Sequence, residues 1–144
     1  MTRPLCVCAA VLAAAVLGTA CGGKATAPSA TTPPVAAPTA TEVFNGTLPV
    51  GGTKFYSFTV GVNGTVNVTL VSVGGAGVAP DVTLNLGLGR PAGTGCVTSS
   101  AVNAQAGAAA QLTGTYAPAV YCVNLADVGN LSSPATFGIT IAHP

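Results

Sequence analysis

The sequence predicts an all-β fold, a small antiparallel jelly-roll-like β-sandwich of about seven or eight strands, and three observations carry that prediction. Apolar side chains recur at every second position in short runs from Val43 onward. Clusters of Gly, Pro and Asn separate these runs. No stretch after residue 41 repeats its apolar residues with the 3.6-residue period of a helix.

In chain order, Val43 to Leu48 places Phe44, Gly46 and Leu48 on one face. Lys54 to Val60 turns Tyr56, Phe58 and Val60 inward and Ser57 and Thr59 outward. Val66, Val68 and Leu70 face in from Thr65 to Val73, and Val82, Leu84, Leu86 and Leu88 face in against Thr83, Asn85 and Gly87. Such alternation belongs to strands wetted on one face. Further strands are expected at Cys96-Val97, Ala108 to Leu112, Val120 to Leu125 and Phe137 to Ile141. Pro49-Val50-Gly51-Gly52 and Asn63-Gly64 have hairpin-turn chemistry. Val73 to Pro80 and Arg90 to Gly95 read as loops, and Asp127 to Pro134 closes the penultimate strand. Gly107 among the alanines of Ala104 to Ala110 favours a plain connection or edge strand over a helical turn.

The sequence before this domain has a different character. Arg3 precedes an unbroken apolar run, Leu5 to Leu17, and three small or polar residues lead to Cys21. That is the layout of a secretory signal, assigned to residues 1–20. Leu17-Gly18-Thr19-Ala20-Cys21 resembles the bacterial lipobox, with Gly18 at the place usually held by Leu. The resemblance implies that Cys21 is acylated and becomes the mature N-terminus; the competing reading is ordinary cleavage that leaves a free thiol. Residues 21–41, rich in Ala, Thr and Pro, form a linker with Pro28, Pro33, Pro34 and Pro38. In extended geometry it reaches roughly 60 Å at about 3.1 Å per residue, and it carries no apolar face with which to dock. Residues 42–144 make the sandwich domain.

Charge narrows the function. Only 5% of residues are charged, and beyond Cys21 the cations Lys24, Lys54 and Arg90 balance Glu42, Asp81 and Asp127. No basic patch arises from three scattered cations, so nucleic acid is excluded as a partner. No His/Cys cluster with zinc spacing exists. Asp81 with Asp127 is a formal acid–base pair, which would need a separation of about 5 to 9 Å, but aspartates beside turns usually cap their own backbone. Asp127 and Asn130 are weak candidates for a calcium site built with backbone carbonyls. His143, the single histidine, lies where a chain is least constrained and reads as a strand-end residue rather than a catalytic base. Asn45, Asn63, Asn67 and Asn130 match the N-glycosylation pattern, as chance provides in a chain this rich in Asn and Thr. Tyr116 and Tyr121 have the chemistry to stack on a sugar, although Tyr121 is also expected in the core.

The five cysteines resolve by position. Cys6 and Cys8 leave with the signal, Cys21 is the processing point, and Cys96 and Cys122 remain. If Tyr121, Val123 and Leu125 face the core, Cys122 points outward, toward solvent or a covering loop. Its disulfide partner is then Cys96, on a neighbouring strand; the other possibility is two separately buried thiols. A bridge over this span would contribute about 3 to 4 kcal/mol.

Phe44-x-Gly46-x-Leu48, Gly52-x-x-x-Tyr56-x-Phe58-x-Val60 and Gly64-x-Val66-x-Val68-x-Leu70 resemble the opening of the bacterial pre-peptidase C-terminal (PPC-like) domain family. Tyr121 to Leu125, Asp127, Gly129-Asn130 and Phe137-x-Ile139-x-Ile141 resemble its end. Pro118-Ala119-Val120 stands where members usually have a Gly before the penultimate strand's Tyr. The resemblance implies a jelly-roll-like sandwich of a kind carried on secreted or surface proteins and not itself catalytic. The expected protein is a cofactor-free, non-enzymatic lipoprotein of the bacterial cell envelope. It is held to a lipid bilayer through Cys21 and presents a structural or interaction module to an envelope protein or glycan. The alternative is a dedicated glycan- or peptide-binding lipoprotein, which would show a concave face with clustered Tyr or Asn side chains.

Overall fold

Alternation along each strand decides which side chains enter the core, and in the computed structural model it does so on eight strands. The structure describes residues 32–144; the leader, Cys21 and the first part of the linker lie outside the described residues. The strands are β1 (Ala40–Leu48), β2 (Thr53–Val60), β3 (Gly64–Gly74), β4 (Leu84–Ala92), β5 (Gly95–Ala104), β6 (Leu112–Tyr116), β7 (Ala119–Asp127) and β8 (Ala135–His143). No described residue is helical.

The strands form two four-stranded sheets, ordered β1-β8-β3-β6 and β2-β7-β4-β5. Every neighbouring pair is antiparallel. This is the strand order of a jelly roll, two Greek keys closed on one core. Leu48, Val66, Val68 and Leu70 are fully buried from one sheet, and Leu84, Leu86, Val123 and Leu125 from the other. Aliphatic burial at about 1.5 to 3 kcal/mol per large side chain therefore carries most of the stability, as expected where aromatics are few.

Only β4 and β5 are both consecutive in the chain and neighbours in a sheet. The turns at Pro49–Gly52 and Asn63-Gly64, expected to close hairpins, instead carry the chain from one sheet to the other. The reason lies in the side chains they bring together. Crossing lets Phe44 of β1 stack on Tyr56 of β2 at 4.6 Å between centroids, with Phe137 of β8 edge-on to Tyr56 at 6.2 Å. A hairpin would have put these rings side by side on one sheet. Gly46 makes the arrangement possible, because a Cβ there would lie 2.7 Å from the Tyr56 hydroxyl.

Several strand limits differ from expectation. β4 runs on through Arg90 to Ala92, leaving Gly93-Thr94 as a two-residue turn in which Gly93 takes φ +58°. β6 begins at Leu112, not Ala108, because the small exposed side chains of Ala108 to Ala110 offer the core nothing, whereas Leu112 is buried. The connection ahead of β6 still completes the sheet. Gln111 accepts a hydrogen bond from Leu70 N at 2.8 Å, and Gly107 and Gln111 donate their backbone N–H groups to Leu70 and Val68.

The linker's last residues join the domain through backbone rather than through an apolar face. Ala36 donates to Asn63 and accepts from Thr65, and Thr39 donates to His143. A Cβ on Gly64 would fall 2.5 Å from the Ala36 carbonyl, so only glycine admits this crossing. The chain thus enters beside the β2–β3 turn. By the strand directions, the β1–β2, β3–β4, β5–β6 and β7–β8 connections gather at the opposite end.

Candidate binding groove

Cys96 and Cys122 form a disulfide with Cα atoms 5.8 Å apart. They were expected on neighbouring strands, yet β4 lies between β5 and β7. Strands two places apart are ordinarily separated by about 10 Å, twice the interstrand spacing, so β5 must leave the plane of the sheet. Its register with β4 slips at Ser99: Leu88 pairs with Ser100, but Gly89 pairs with Thr98. A bulge of this kind bends and twists the strand that carries it.

Glycines on the outward positions of β4 clear the way. A Cβ on Gly89 would lie 1.9 Å from the Val97 carbonyl oxygen, and one on Gly87 would lie 2.5 Å from the Thr98 side chain. The start of β5 therefore rests on the outer surface of β4, and Cys96 reaches across to Cys122. Cys122 points away from the core, as its parity requires, and is nonetheless fully buried because the hairpin covers it.

The folded hairpin creates a groove on the outer face of the second sheet. Its volume is about 630 Å³. Thr94, Gly95 and Cys96 form one wall, while Thr53 and Phe55 of β2 and Asn124 of β7 form the floor and the other wall. Phe55 pairs with Asn124 in the ladder, and Asn124 pairs in turn with Gly87. The row thus offers an aromatic ring and an amide beside a position with no side chain. Phe55 is 38% exposed, while the other aromatic residues of the described chain belong to the core or pack against it. Lys54 borders the groove from the other side of the strand: it pairs with the core residue Leu125, so its side chain leaves on the face opposite to Phe55. Among the described residues the single ion pair is His143–Glu42, so Lys54 has no carboxylate partner.

Sequence reasoning did not single out Phe55. The signal was present in the dipeptide Phe55-Tyr56: adjacent residues of a strand face opposite ways, so one of two consecutive aromatics had to point outward.

The structure puts the sequence-derived candidates to other uses. Asp127 Oδ1 accepts backbone N–H bonds from Gly129, Asn130 and Leu131, and Oδ2 accepts one from Gly51 at 2.8 Å. These donors, led by Gly51, hold its carboxyl below the usual aspartate range. A carboxylate surrounded by N–H groups ties the β1–β2 and β7–β8 connections together. Asn130 donates its amide to the Thr83 carbonyl at 2.9 Å, adding the β3–β4 connection to the same network. Asp81 lies in that connection, where Gln105 donates to its backbone carbonyl. No cluster of three or more His, Cys, Asp or Glu side chains with metal-binding geometry occurs among the described residues.

His143, expected to be loosely held, is instead buried on the inner face of β8. Its Nε2 lies 3.0 Å from Glu42 Oε1 and its Nδ1 lies 3.3 Å from the Pro144 carbonyl. Its ring packs 5.3 Å from Phe58. Both nitrogens thus have partners that fasten the ends of β1 and β8. Tyr116 and Tyr121 do not form a sugar platform either, since they pack on each other edge to face at 5.1 Å. The Tyr121 hydroxyl donates to the Ala117 carbonyl and accepts from Arg90. Burial, reinforced by Tyr121, pushes the Tyr116 phenol above its usual pKa.

Compared with known proteins, the chain matches no family model, and no curated protein sequence matches it.

Proposed function

We propose that this chain is an exported bacterial lipoprotein. Acylated Cys21 holds its jelly-roll domain at a membrane surface, and the domain works there as a non-catalytic structural or interaction module. The observation that carries the reading is the order of three segments: an apolar leader ending in Leu17-Gly18-Thr19-Ala20-Cys21, a Pro-rich linker, and a disulfide-closed β domain. A single acyl chain anchors only marginally, and the two or more of a lipidated cysteine hold stably. The disulfide suits an oxidising compartment outside the cytosol.

Two features of the domain are consistent with display. The linker joins it beside the β2–β3 turn, so the four longer connections point the other way along the strands. Its polar groups go into fastening strands and loops: His143 to Glu42, and Asp127 to the backbone of two connections. The resemblance to PPC-like domains supports the same non-catalytic part, and an envelope protein or glycan is the partner expected for it. Mass spectrometry of the native N-terminus tests the anchor. The reading expects acylated Cys21 and partition of the protein with membranes; an unmodified N-terminus at any residue contradicts it.

A further inference from the structure

We propose that the end of the domain where the linker enters is a lipid-docking surface, which rests the domain on the headgroups of the membrane that holds Cys21. The inference rests on the acylated anchor proposed above and deepens it from a tether to a defined orientation.

Strand directions place the β2–β3 and β6–β7 turns at this end. Val62 stands in the first turn. Val35 precedes Ala36, the linker residue bonded to Asn63 and Thr65. Val120 opens β7 beside Thr59. Arg90 reaches the β6–β7 turn through the Tyr121 hydroxyl, which donates to Ala117, and Val97 is the cross-strand partner of Arg90. These valines are about half exposed or more, Val97 most of all at 65%. Among large apolar residues, the connections at the opposite end expose only Val50 and Val128. Apolar area of this kind is what a surface offers to the headgroup boundary of a bilayer.

Charge has the same polarity. The Arg90 guanidinium lies 4.5 Å from the centre of the Tyr121 ring and donates to its hydroxyl at 3.1 Å, so the tyrosine braces it. Its other N–H groups make no hydrogen bond, and it has no carboxylate partner, among the described residues. Glu42, the carboxylate at this end, is engaged by His143. Asp81 and Asp127 lie at the far end. A braced guanidinium suits the oxygens of a phosphodiester.

The tether supplies what so small a patch lacks. Residues 22–31 separate Cys21 from the described chain and span at most about 36 Å. The linker meets the domain at Ala36, beside the patch, so this end is the one held near lipid. Docking is then intramolecular, and a surface too weak to hold a free protein suffices for a tethered one.

The test places the native chain in phosphatidylcholine discs, with and without phosphatidylglycerol, that carry a spin label on a lipid headgroup. Broadening of amide signals maps the residues that approach the lipid. It should be strongest at Gly61–Asn63, Val97–Thr98 and Ala117, and weakest at Val50–Gly51 and Val128–Asn130. Val62→Asp should reduce it about fivefold and leave the unfolding midpoint unchanged, because Val62 lies outside the core. Arg90→Gln should remove a roughly fivefold gain from phosphatidylglycerol, as should high salt. Mass spectrometry of the same sample separates two failures. An unacylated N-terminus overturns the anchor and the docking together. An acylated chain that broadens equally at both ends, at neither, or only at Val50 and Val128 overturns the docking alone. Broadening that Val62→Asp leaves undiminished does the same. So does a doubled mass in light scattering with Val62 and Val97 shielded from lipid, which would make a second copy the occupant.

Discussion

The outer faces of the two sheets follow the same alternation and end in different states. On the β1-β8-β3-β6 sheet the outward positions hold Thr41, Val43, Asn45, Thr47, Thr136 and Thr140, all of them exposed except the half-buried Thr140. On the β2-β7-β4-β5 sheet the outward positions include Gly87, Gly89 and Cys122, and the β5 end of a hairpin folds over them. Period two says which side chains leave the core. It does not say whether they then meet water or a second layer of chain. The residues themselves hold that information: a stretch of outward positions with no side chain leaves room for backbone, and an outward cysteine needs a partner within reach.

Several measurements sharpen this contrast. The largest effect should follow loss of the bridge. Replacing both cysteines, Cys96→Ser with Cys122→Ser, should cost about 3 to 4 kcal/mol, read from urea-unfolding midpoints with unchanged slope. A loss of well under 1 kcal/mol would mean that the hairpin holds its place without the bond.

Next come two glycine substitutions that address the faces directly. Gly89→Ala drives a methyl group against the Val97 and Thr98 backbone, which side-chain rotation cannot relieve, and should cost about 2 to 3 kcal/mol. Gly138→Ala, on the outer face of the other sheet, places its methyl group nearest to the side chains of Ser72, Asn45 and Val71. These can turn aside, and the cost should stay below about 1 kcal/mol. Equal effects at the two sites would erase the distinction between a covered and an open face.

A smaller, pH-dependent effect belongs to Asp127. Its carboxyl titrates below the usual range because backbone N–H groups favour the charged form. The contribution to stability is therefore complete above the unfolded aspartate value, about 3.9. It is lost as the pH falls through the lower folded value. Unfolding midpoints measured from neutral pH into acid should show this decline in the unaltered chain and a flatter profile in Asp127→Asn. An unaltered slope in the variant would assign the acid sensitivity elsewhere.

Much of the fold was legible because the core is simple. Tyr56, Phe58, Val66, Val68, Leu84, Leu86, Leu88, Ile139 and Ile141 all face inward as their parity demands, and the jelly-roll-like class follows from runs of that kind. Strand pairing was less accessible, because a turn sequence such as Asn63-Gly64 reverses the chain equally well within a sheet or between sheets. The choice was made with contacts remote in sequence, such as Tyr56 on Phe137. The cysteine arithmetic found the disulfide, but not that it spans an intervening strand, since that depends on a bulge at Ser99 and on two glycines of another strand. The groove followed the same route. Its aromatic residue was hidden beside a core tyrosine, and its wall exists only because the hairpin folds over.

Hydrogen exchange by mass spectrometry, comparing the oxidised chain with the Cys96→Ser/Cys122→Ser variant, tests most directly whether the bridge pins that hairpin over the second sheet. Faster exchange should be confined to Arg90 through Thr98 and the facing part of β7 around Cys122, with the β1-β8-β3-β6 sheet unchanged. Exchange that rises evenly over both sheets, or nowhere, would contradict a hairpin held in place by its disulfide.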